Sequence, residues 1–99
     1  MQTNCLRHFV EVAEKGSISA GAASAFVTPQ GLSRSLSSLE TELGCSLFSK
    51  HQGRMLLTVF GEALLPEAKA ILRHEQAMVD LVPSIRSAEE GRVSSGASL

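Results

Sequence analysis

The fold is decided by residues 27–44, which read VTPQGLSRSLSSLETELG. The leucines of this stretch are spaced four, three and four residues apart: Leu32, Leu36, Leu39 and Leu43. That spacing places them on one face of an α-helix. Thr28 can cap the helix with its hydroxyl, and Pro29 suits the first helical position, where a missing N–H costs little. Gly44 is typical of the left-handed residue that ends a helix. The stretch therefore predicts an amphipathic helix over 29–43.

The side of this helix opposite the leucines has one arginine, one amide and several small hydroxyl groups, and no carboxylate. At about 100° per residue, the residues on that side and its flank are Gln30, Ser33, Arg34, Ser37, Ser38 and Thr41. A helix that is merely solvated more often mixes Lys with Glu at i,i+4. Arg and Gln can read base edges, and Ser or Thr suits places where the DNA backbone approaches closely. The pattern favours a helix that lies against duplex DNA.

Two shorter helices are predicted before this one. The first has apolar residues at helical spacing: Leu6, Phe9, Val10 and Ala13. It runs from Thr3 or Asn4 to Lys15 and is closed by Gly16. The second lies within 17–26, is capped by Ser17 or Ser19, and is rich in small residues that permit close approach of another helix. Helix, short turn, helix is the helix-turn-helix arrangement, whose second member enters the major groove.

Residues 47–57 predict a β-hairpin, because two short apolar runs flank a four-residue polar tip, 51–54, that contains a glycine. Lys50, His51 and Arg54 make the tip positive, and no acid offsets them. A helix-turn-helix followed by a basic hairpin is a winged helix. The wing can place Arg54 against a phosphate or in the narrow minor groove.

A long fourth helix is predicted from Val59, with Thr58 as its cap, to about Val82, and Pro83 is expected to stop it. Its apolar residues form a broad stripe: Leu64, Leu65, Ala68, Ile71, Leu72, Met78, Val79, Val82 and Ile85. A stripe this broad exceeds what the small domain can cover, so it predicts a homodimer interface formed by Leu64, Leu65, Ala68, Ile71, Leu72, Met78 and Val79. In the alternative, the helix packs entirely on its own domain, bent back at Pro66, where a kink or a loosened hydrogen bond is expected.

Motifs that fall in register along most of the chain resemble the N-terminal domain of LysR-type transcriptional regulators. They are Leu6-Arg-His-Phe9, Val12-Ala13-Glu14, Gly16-Ser17, Leu32-Ser33-Arg34, Leu39-Glu40, Glu42-Leu43-Gly44, Leu47-Phe48, Gly53-Arg54, Leu57-Thr58, Gly61 and Ala68. The resemblance covers about residues 2–75. It implies a mainly α fold with three helices and a two-stranded wing, a linker helix that dimerises, and normally a C-terminal effector-sensing domain. It further implies that two recognition helices enter successive major grooves at an inverted-repeat site.

The departures from the family pattern concern the DNA contacts. The family usually has Ser/Thr-Gln-Pro where this chain has Thr28-Pro-Gln30, so the amide is rotated by about 100° around the helix and base preference cannot be carried over. Small residues stand where the family commonly has basic ones: Ala20, Ser24, Ser37 and Ser38. Lys50 replaces an arginine, giving a point charge instead of a bidentate fork. The expectation is the same binding mode with a smaller electrostatic contribution.

These considerations predict one set of DNA contacts: Thr28, Gln30, Ser33, Arg34, Ser37, Lys50, His51 and Arg54. Thr28 is expected at the DNA backbone, the other helix residues at base edges or nearby phosphates, and the wing residues on the flanks. The net charge of −1 and the pI of about 6.3 argue, on their own, against nucleic acid. The position of the charges offsets this, since residues 27–58 hold three Lys or Arg (Arg34, Lys50, Arg54) against two acids, which avoid the proposed contact face.

Length and composition are those of one small domain: 99 residues, 43% hydrophobic, with four phenylalanines and no Trp or Tyr. Residues 1–58 form the winged domain, whose core alone would be marginal, and 59–83 form the linker helix. Residues 84–99 are predicted to be a flexible tail or the start of a missing effector domain, and the chain is expected to be a fragment of a longer regulator. No secretory signal or transmembrane run is present, so no membrane association and a cytoplasmic location are expected.

The sequence predicts no catalytic, metal or cofactor site, and no small-molecule site within the chain. Cys5 and Cys45 have neither CxxC nor metal-ligand spacing, and His8 and His74 are isolated. Two alternatives to a dimeric DNA-binding domain are a winged-helix interaction module that binds DNA weakly, and a small enzyme. The second lacks any cluster of ionisable or nucleophilic residues to support it.

Overall fold

A computed structural model describes residues 1–91, and it has the predicted mainly α fold of a winged helix-turn-helix with a long last helix. The elements are α1 (Thr3–Lys15), α2 (Ile18–Ala25), α3 (Pro29–Leu43), β1 (Phe48–His51), β2 (Arg54–Leu57) and α4 (Val59–Gly91). The bounds of α1 and α3 agree with the sequence-based prediction. Helix α2 ends one residue earlier than expected, because Phe26 already has the left-handed conformation that closes it.

The helix ends are set by the residues that the sequence suggests. Of the two candidate caps for α2, Ser17 is the one used, since its hydroxyl accepts from the amide of Ala20 at 3.0 Å. Thr28 caps α3 by accepting from the amide of Gly31 at 3.0 Å. Gly16 and Gly44 end α1 and α3 with φ of 79° and 74°, a region that favours glycine.

The core lies where α1, α3 and the segment before the wing meet. Its largest fully buried side chains are Phe9, Val12, Leu32, Leu39 and Leu47. Phe9 also meets Phe48 of the wing edge-to-face, with 5.6 Å between ring centroids. Helices α1 and α2 approach closely at Gly21, where an added Cβ would lie 2.9 Å from Cγ2 of Val12.

The wing is a two-stranded antiparallel hairpin whose turn is tighter than the sequence predicted. His51 and Arg54, expected in a four-residue tip, are the last paired residues of the ladder. Only Gln52 and Gly53 form the turn, both with positive φ (52° and 79°), as in the type I′ turn that matches the twist of a hairpin. The amide of Met55 donates to the carbonyl of Gly16 at 3.1 Å, which fastens the wing to the α1–α2 turn.

Helix α4 begins under the wing, at a contact that admits only glycine. Thr58 accepts from the amide of Gly61 at 3.1 Å and donates to the carbonyl of Ser46 at 2.5 Å. An added Cβ at Gly61 would lie 2.2 Å from the carbonyl oxygen of Leu47. The first turn of α4 therefore presses directly on the segment that leads into the wing.

The prediction that Pro83 ends α4 is wrong, because the 33-residue helix continues through both Pro66 and Pro83 to Gly91. An internal proline removes one backbone hydrogen bond and crowds the preceding turn, and a helix with bonded turns on both sides continues past it. The expected boundary at 83 thus lies inside the helix, and residues 84–91 are helical. Residues 92–99, which hold the rest of the predicted tail or effector-domain entry, lie outside the described part.

A helix of this length spans about 50 Å, and the longest dimension of the molecule is 64 Å against 25 and 18 Å for the other two. Two ion pairs join the first half of α4 to α1: Glu14 with Lys69 and Arg7 with Glu75, each at 3.1 Å. Residues 76–91 extend beyond the winged domain. The alternative of a helix packed entirely on its own domain is therefore wrong.

Candidate nucleic-acid interface

Helix α3 buries its leucine side and exposes the side predicted to meet DNA. Leu32, Leu36 and Leu39 are at most 5% exposed. The predicted contact residues of this region are all exposed: Thr28, Gln30, Ser33, Arg34 and Ser37. The rotation of α3 about its own axis is therefore as the sequence indicates.

A polar contact between α1 and α3 helps to fix that rotation. Nδ1 of His8 lies 2.8 Å from Oγ of Ser35, and that hydroxyl donates to Sγ of Cys5 at 3.2 Å. Ser35 follows Arg34 directly, so the contact holds the backbone of the exposed arginine. Burial lowers the pKa of His8, with a further lowering from the Arg7 guanidinium and an opposing effect of Glu11. His8 is therefore neutral at pH 7, and one of its ring nitrogens can accept a hydrogen bond.

Both carboxylates of α3 are engaged in polar contacts within the protomer. Oε2 of Glu40 accepts from the amides of Leu47 and Phe48, at 2.7 and 3.4 Å. Glu42 pairs with the amino group of Met1 at 2.6 Å. Glu40 thus joins α3 to the start of the wing with charge-assisted hydrogen bonds. Its carboxylate nevertheless borders the proposed contact face, because Glu40 lines the same groove as Ser33 and Ser37, which corrects the expectation that both acids avoid that face.

The two faces of the wing carry different parts of the predicted contact set. Side chains of adjacent strand residues point to opposite faces, and Lys50 and His51 are adjacent. A groove of about 260 Å³ lies between α3 and the wing, and its polar lining residues are Ser33, Ser37, Glu40 and Lys50. Ser33, Ser37 and Lys50 are thus brought to one surface, next to Arg34.

His51 and Arg54 form the cross-strand pair next to the turn and are both exposed. Arg54 lines a second recess, of about 600 Å³, whose other charged residues are Glu14, Lys15 and Glu62. These acids come from the end of α1 and the start of α4, so the sequence around the hairpin gave no sign of them. The wing therefore offers one cation beside the α3 face and a second one on its other face, each with carboxylates nearby.

The seven residues predicted for the dimer interface fall into two groups. Ala68 is only 3% exposed and belongs to the protomer's own core, which corrects its assignment, and Leu64, Leu65 and Leu72 are partly buried against the same core. The exposed members are Ile71, Met78 and Val79. The sequence-based set missed further exposed apolar residues on the projecting half: Leu81, Val82 and Ile85. Val82 and Ile85 already belong to the predicted apolar stripe of α4, but the predicted interface ends at Val79 because the helix was expected to stop at Pro83.

Within residues 1–91 no group of three or more His, Cys, Asp or Glu side chains is arranged to hold a metal ion. In the same range, no helix combines the length and apolar character needed to cross a membrane.

A capped three-helix head, a hairpin wing and a projecting fourth helix define a winged helix-turn-helix protein of the kind that carries a linker helix. Residues 3–62 match the family described as "Bacterial regulatory helix-turn-helix protein, lysR family". The chain therefore belongs to the LysR family, and it comprises the N-terminal winged domain and linker helix of that family's regulators.

Named relatives agree with this assignment. The chain is 37% identical over 84 residues to the HTH-type transcriptional regulator BlaA of Streptomyces cacaoi, covering 85% of this chain and 26% of that protein. It is 36% identical over 86 residues to the HTH-type transcriptional regulator GalR of Pseudomonas putida, covering 87% and 21%. The chain thus spans about a quarter of the length of these relatives.

Solved structures share the fold at 29 and 30% identity. The DNA-binding domain of CbnR in complex with DNA superposes with a TM-score of 0.82, covering 87% of this chain and 99% of that one. The DNA-binding domain of BenM in complex with catB site 1 DNA superposes with a TM-score of 0.83, covering 88% and 97%.

Proposed function

We propose that this chain binds double-stranded DNA as a homodimer and is the DNA-binding part of a transcription regulator that acts in the bacterial cytoplasm. The observation that carries the proposal is the exposed face of α3, which presents Gln30, Arg34 and hydroxyl groups while both acids of the helix are engaged within the protomer. Similarity to domains solved on DNA supports it. The proposed function is DNA binding, and the similar proteins BlaA and GalR are named as transcriptional regulators.

The geometry supports a division of roles among the proposed contacts. Gln30 and Arg34 lie in the first half of α3, where recognition helices meet base edges. Ser33, Ser37 and Lys50 share a groove that can take a sugar–phosphate strand running between helix and wing, with the carboxylate of Glu40 in the same groove occupied by two backbone amides. Thr28 would meet the backbone at the helix start, and His51 and Arg54 a flanking phosphate or the minor groove.

Dimerisation would be supplied by the exposed apolar residues of α4: Ile71, Met78, Val79, Leu81, Val82 and Ile85. Two heads held at a fixed spacing by this helix would bind the halves of an inverted repeat together, which raises the apparent affinity well above that of one head. With about six phosphate-contacting cations in the dimer, the slope of log affinity against log salt would be roughly −5.

The test is selection of bound duplexes from a random pool, followed by anisotropy titrations of the selected site. We expect Arg34→Ala to weaken specific binding by about 1 to 3 kcal/mol, as for an arginine on a base. Arg73→Ala is the matched control, because it removes the same charge from an exposed site on α4. Equal affinities of both variants and wild type would contradict the proposed role of α3.

The interaction-module alternative makes a different forecast for the same titrations. It expects weak DNA binding that hardly changes with salt, together with intact dimers. A salt slope near zero, with no sequence enriched from the pool, would therefore favour that alternative over DNA recognition.

A further inference from the structure

Phe26 is the most exposed large apolar side chain in the described part of the chain, with 94% of its surface accessible to solvent. Its backbone has φ 59° and ψ 40°, in the left-handed region. An aromatic residue there is unusual, because Cβ comes too close to the following carbonyl oxygen.

Two hydrogen bonds hold the backbone of Phe26 in this conformation. The amide of Val27 donates to the carbonyl of Ala22 at 3.0 Å, and the amide of Phe26 donates to the carbonyl of Ala23 at 3.3 Å. This is the Schellman arrangement, whose left-handed position is normally Gly or Asn. The ring of Phe26 gains almost no contact within the protomer that could offset the strain. Local strain of this kind is typical of functional positions.

The position of Phe26 indicates what the ring can contact. It stands two residues before Thr28, so their Cα atoms are at most about 7 Å apart. Thr28 begins α3, and the N-terminal residues of a recognition helix lie against base edges in the major groove. The apolar group that bases display there is the 5-methyl of thymine, for which phenylalanine is one of the usual partners. Val27, 37% exposed, widens the apolar surface.

We propose that Phe26 is a further specificity-determining residue, whose ring contacts the 5-methyl group of a thymine at the edge of each half-site. The inference rests on the proposed function, since it requires α3 to lie in the major groove. The contact compensates in the complex for the strain that the free protein carries in the α2–α3 turn.

The first experiment compares wild type with Phe26→Asn, using the whole 99-residue chain and a duplex selected from a random pool. Asn suits the left-handed position, so the variant should melt at a higher temperature, by about 5 °C. Its dissociation constant for the selected duplex should nevertheless rise about tenfold, through loss of the buried ring. The salt slope should stay the same, because no cation is removed.

The second experiment replaces each thymine of the site in turn with deoxyuridine, which lacks only the 5-methyl group. At one thymine per half-site, the replacement should lower the affinity of wild type about fourfold, the value for burial of one such group. The same replacement should not change the affinity of Phe26→Asn. A stabilised variant that binds like wild type, or an equal deoxyuridine effect in both proteins, overturns the inference.

Arg34→Ala on the same duplex separates the two possible failures. If it weakens binding while Phe26→Asn does not, α3 is the reading helix and only the methyl contact is wrong. If Arg34→Ala has no effect either, the placement of α3 in the major groove fails, and the inference about Phe26 fails with it.

Discussion

Helix α3 and the projecting half of α4 (residues 76–91) are both amphipathic, yet only α3 buries its apolar residues within the protomer. Leu32, Leu36 and Leu39 of α3 disappear into the core, whereas Met78 and Val82 of α4 are 65% and 48% exposed. Helix α3 packs on the head along its leucine side, whereas α4 extends past the head after Glu75. The same hydrophobic period therefore stabilises the domain in one helix and leaves an apolar surface exposed in the other.

The largest effect is expected from shortening a leucine of α3. Leu32→Ala should lower the free energy of unfolding by about 3 kcal/mol, because a fully buried side chain leaves a cavity. Met78→Ala is the control from the projecting half of α4. At protein concentrations below the dimer dissociation constant, it should change the unfolding of the monomer by no more than about 0.5 kcal/mol. Urea titrations followed by circular dichroism measure both. Similar losses for the two variants would show that residues 76–91 are as much a part of the core as α3.

The next effect concerns assembly. Val82→Glu puts a carboxylate into the exposed apolar surface of α4, and an unpaired charge in an interface is costly. We expect the dimer dissociation constant to rise by more than about tenfold. Sedimentation equilibrium at several protein concentrations measures it, and Gln76→Glu is the control because it places the same charge on an exposed polar site. A dimer that tolerates Val82→Glu would contradict the assignment of this surface.

How far the sequence could predict the molecule depends on whether a feature is local. Caps at Thr28 and Gly44 and the leucine period of α3 involve neighbours along one helix, so the head was predicted nearly residue by residue. Ala68 was assigned to the wrong surface because its burial depends on α4 crossing α1, which no local pattern encodes. The charged neighbours of Arg54, Glu14, Lys15 and Glu62, depend in the same way on elements distant in sequence. The helix end predicted at Pro83 is wrong because proline lowers helix stability only locally, while the turns on either side decide whether the helix continues.

The two acids of α3, Glu40 and Glu42, are expected to differ in how much they stabilise the head. Glu40→Gln should destabilise the head by about 1 to 2 kcal/mol, because its carboxylate accepts from two backbone amides at the start of the wing. Glu42→Gln removes the same charge from an exposed ion pair and should cost about 0.5 kcal/mol or less. Thermal melts of the two variants side by side measure the difference. If the two changes cost the same, Glu40 does not fasten α3 to the wing.

The smallest expected effect is a pH dependence confined to the α1–α3 contact. Because the pKa of His8 is lowered in the folded state, the unfolded chain binds more protons at this site once the pH falls below the ordinary value of about 6.5. The contribution of His8 to stability is thus complete above that pH and is lost as the pH decreases toward its folded pKa. Melting temperatures measured between pH 7.5 and 5.5 should depend less on pH for His8→Gln than for wild type. The control His74→Gln, at an exposed position on α4, should show the wild-type pH dependence. If His8→Gln keeps the full wild-type slope, protonation of the head occurs elsewhere, and the His8–Ser35 contact does not hold α3 in the way proposed.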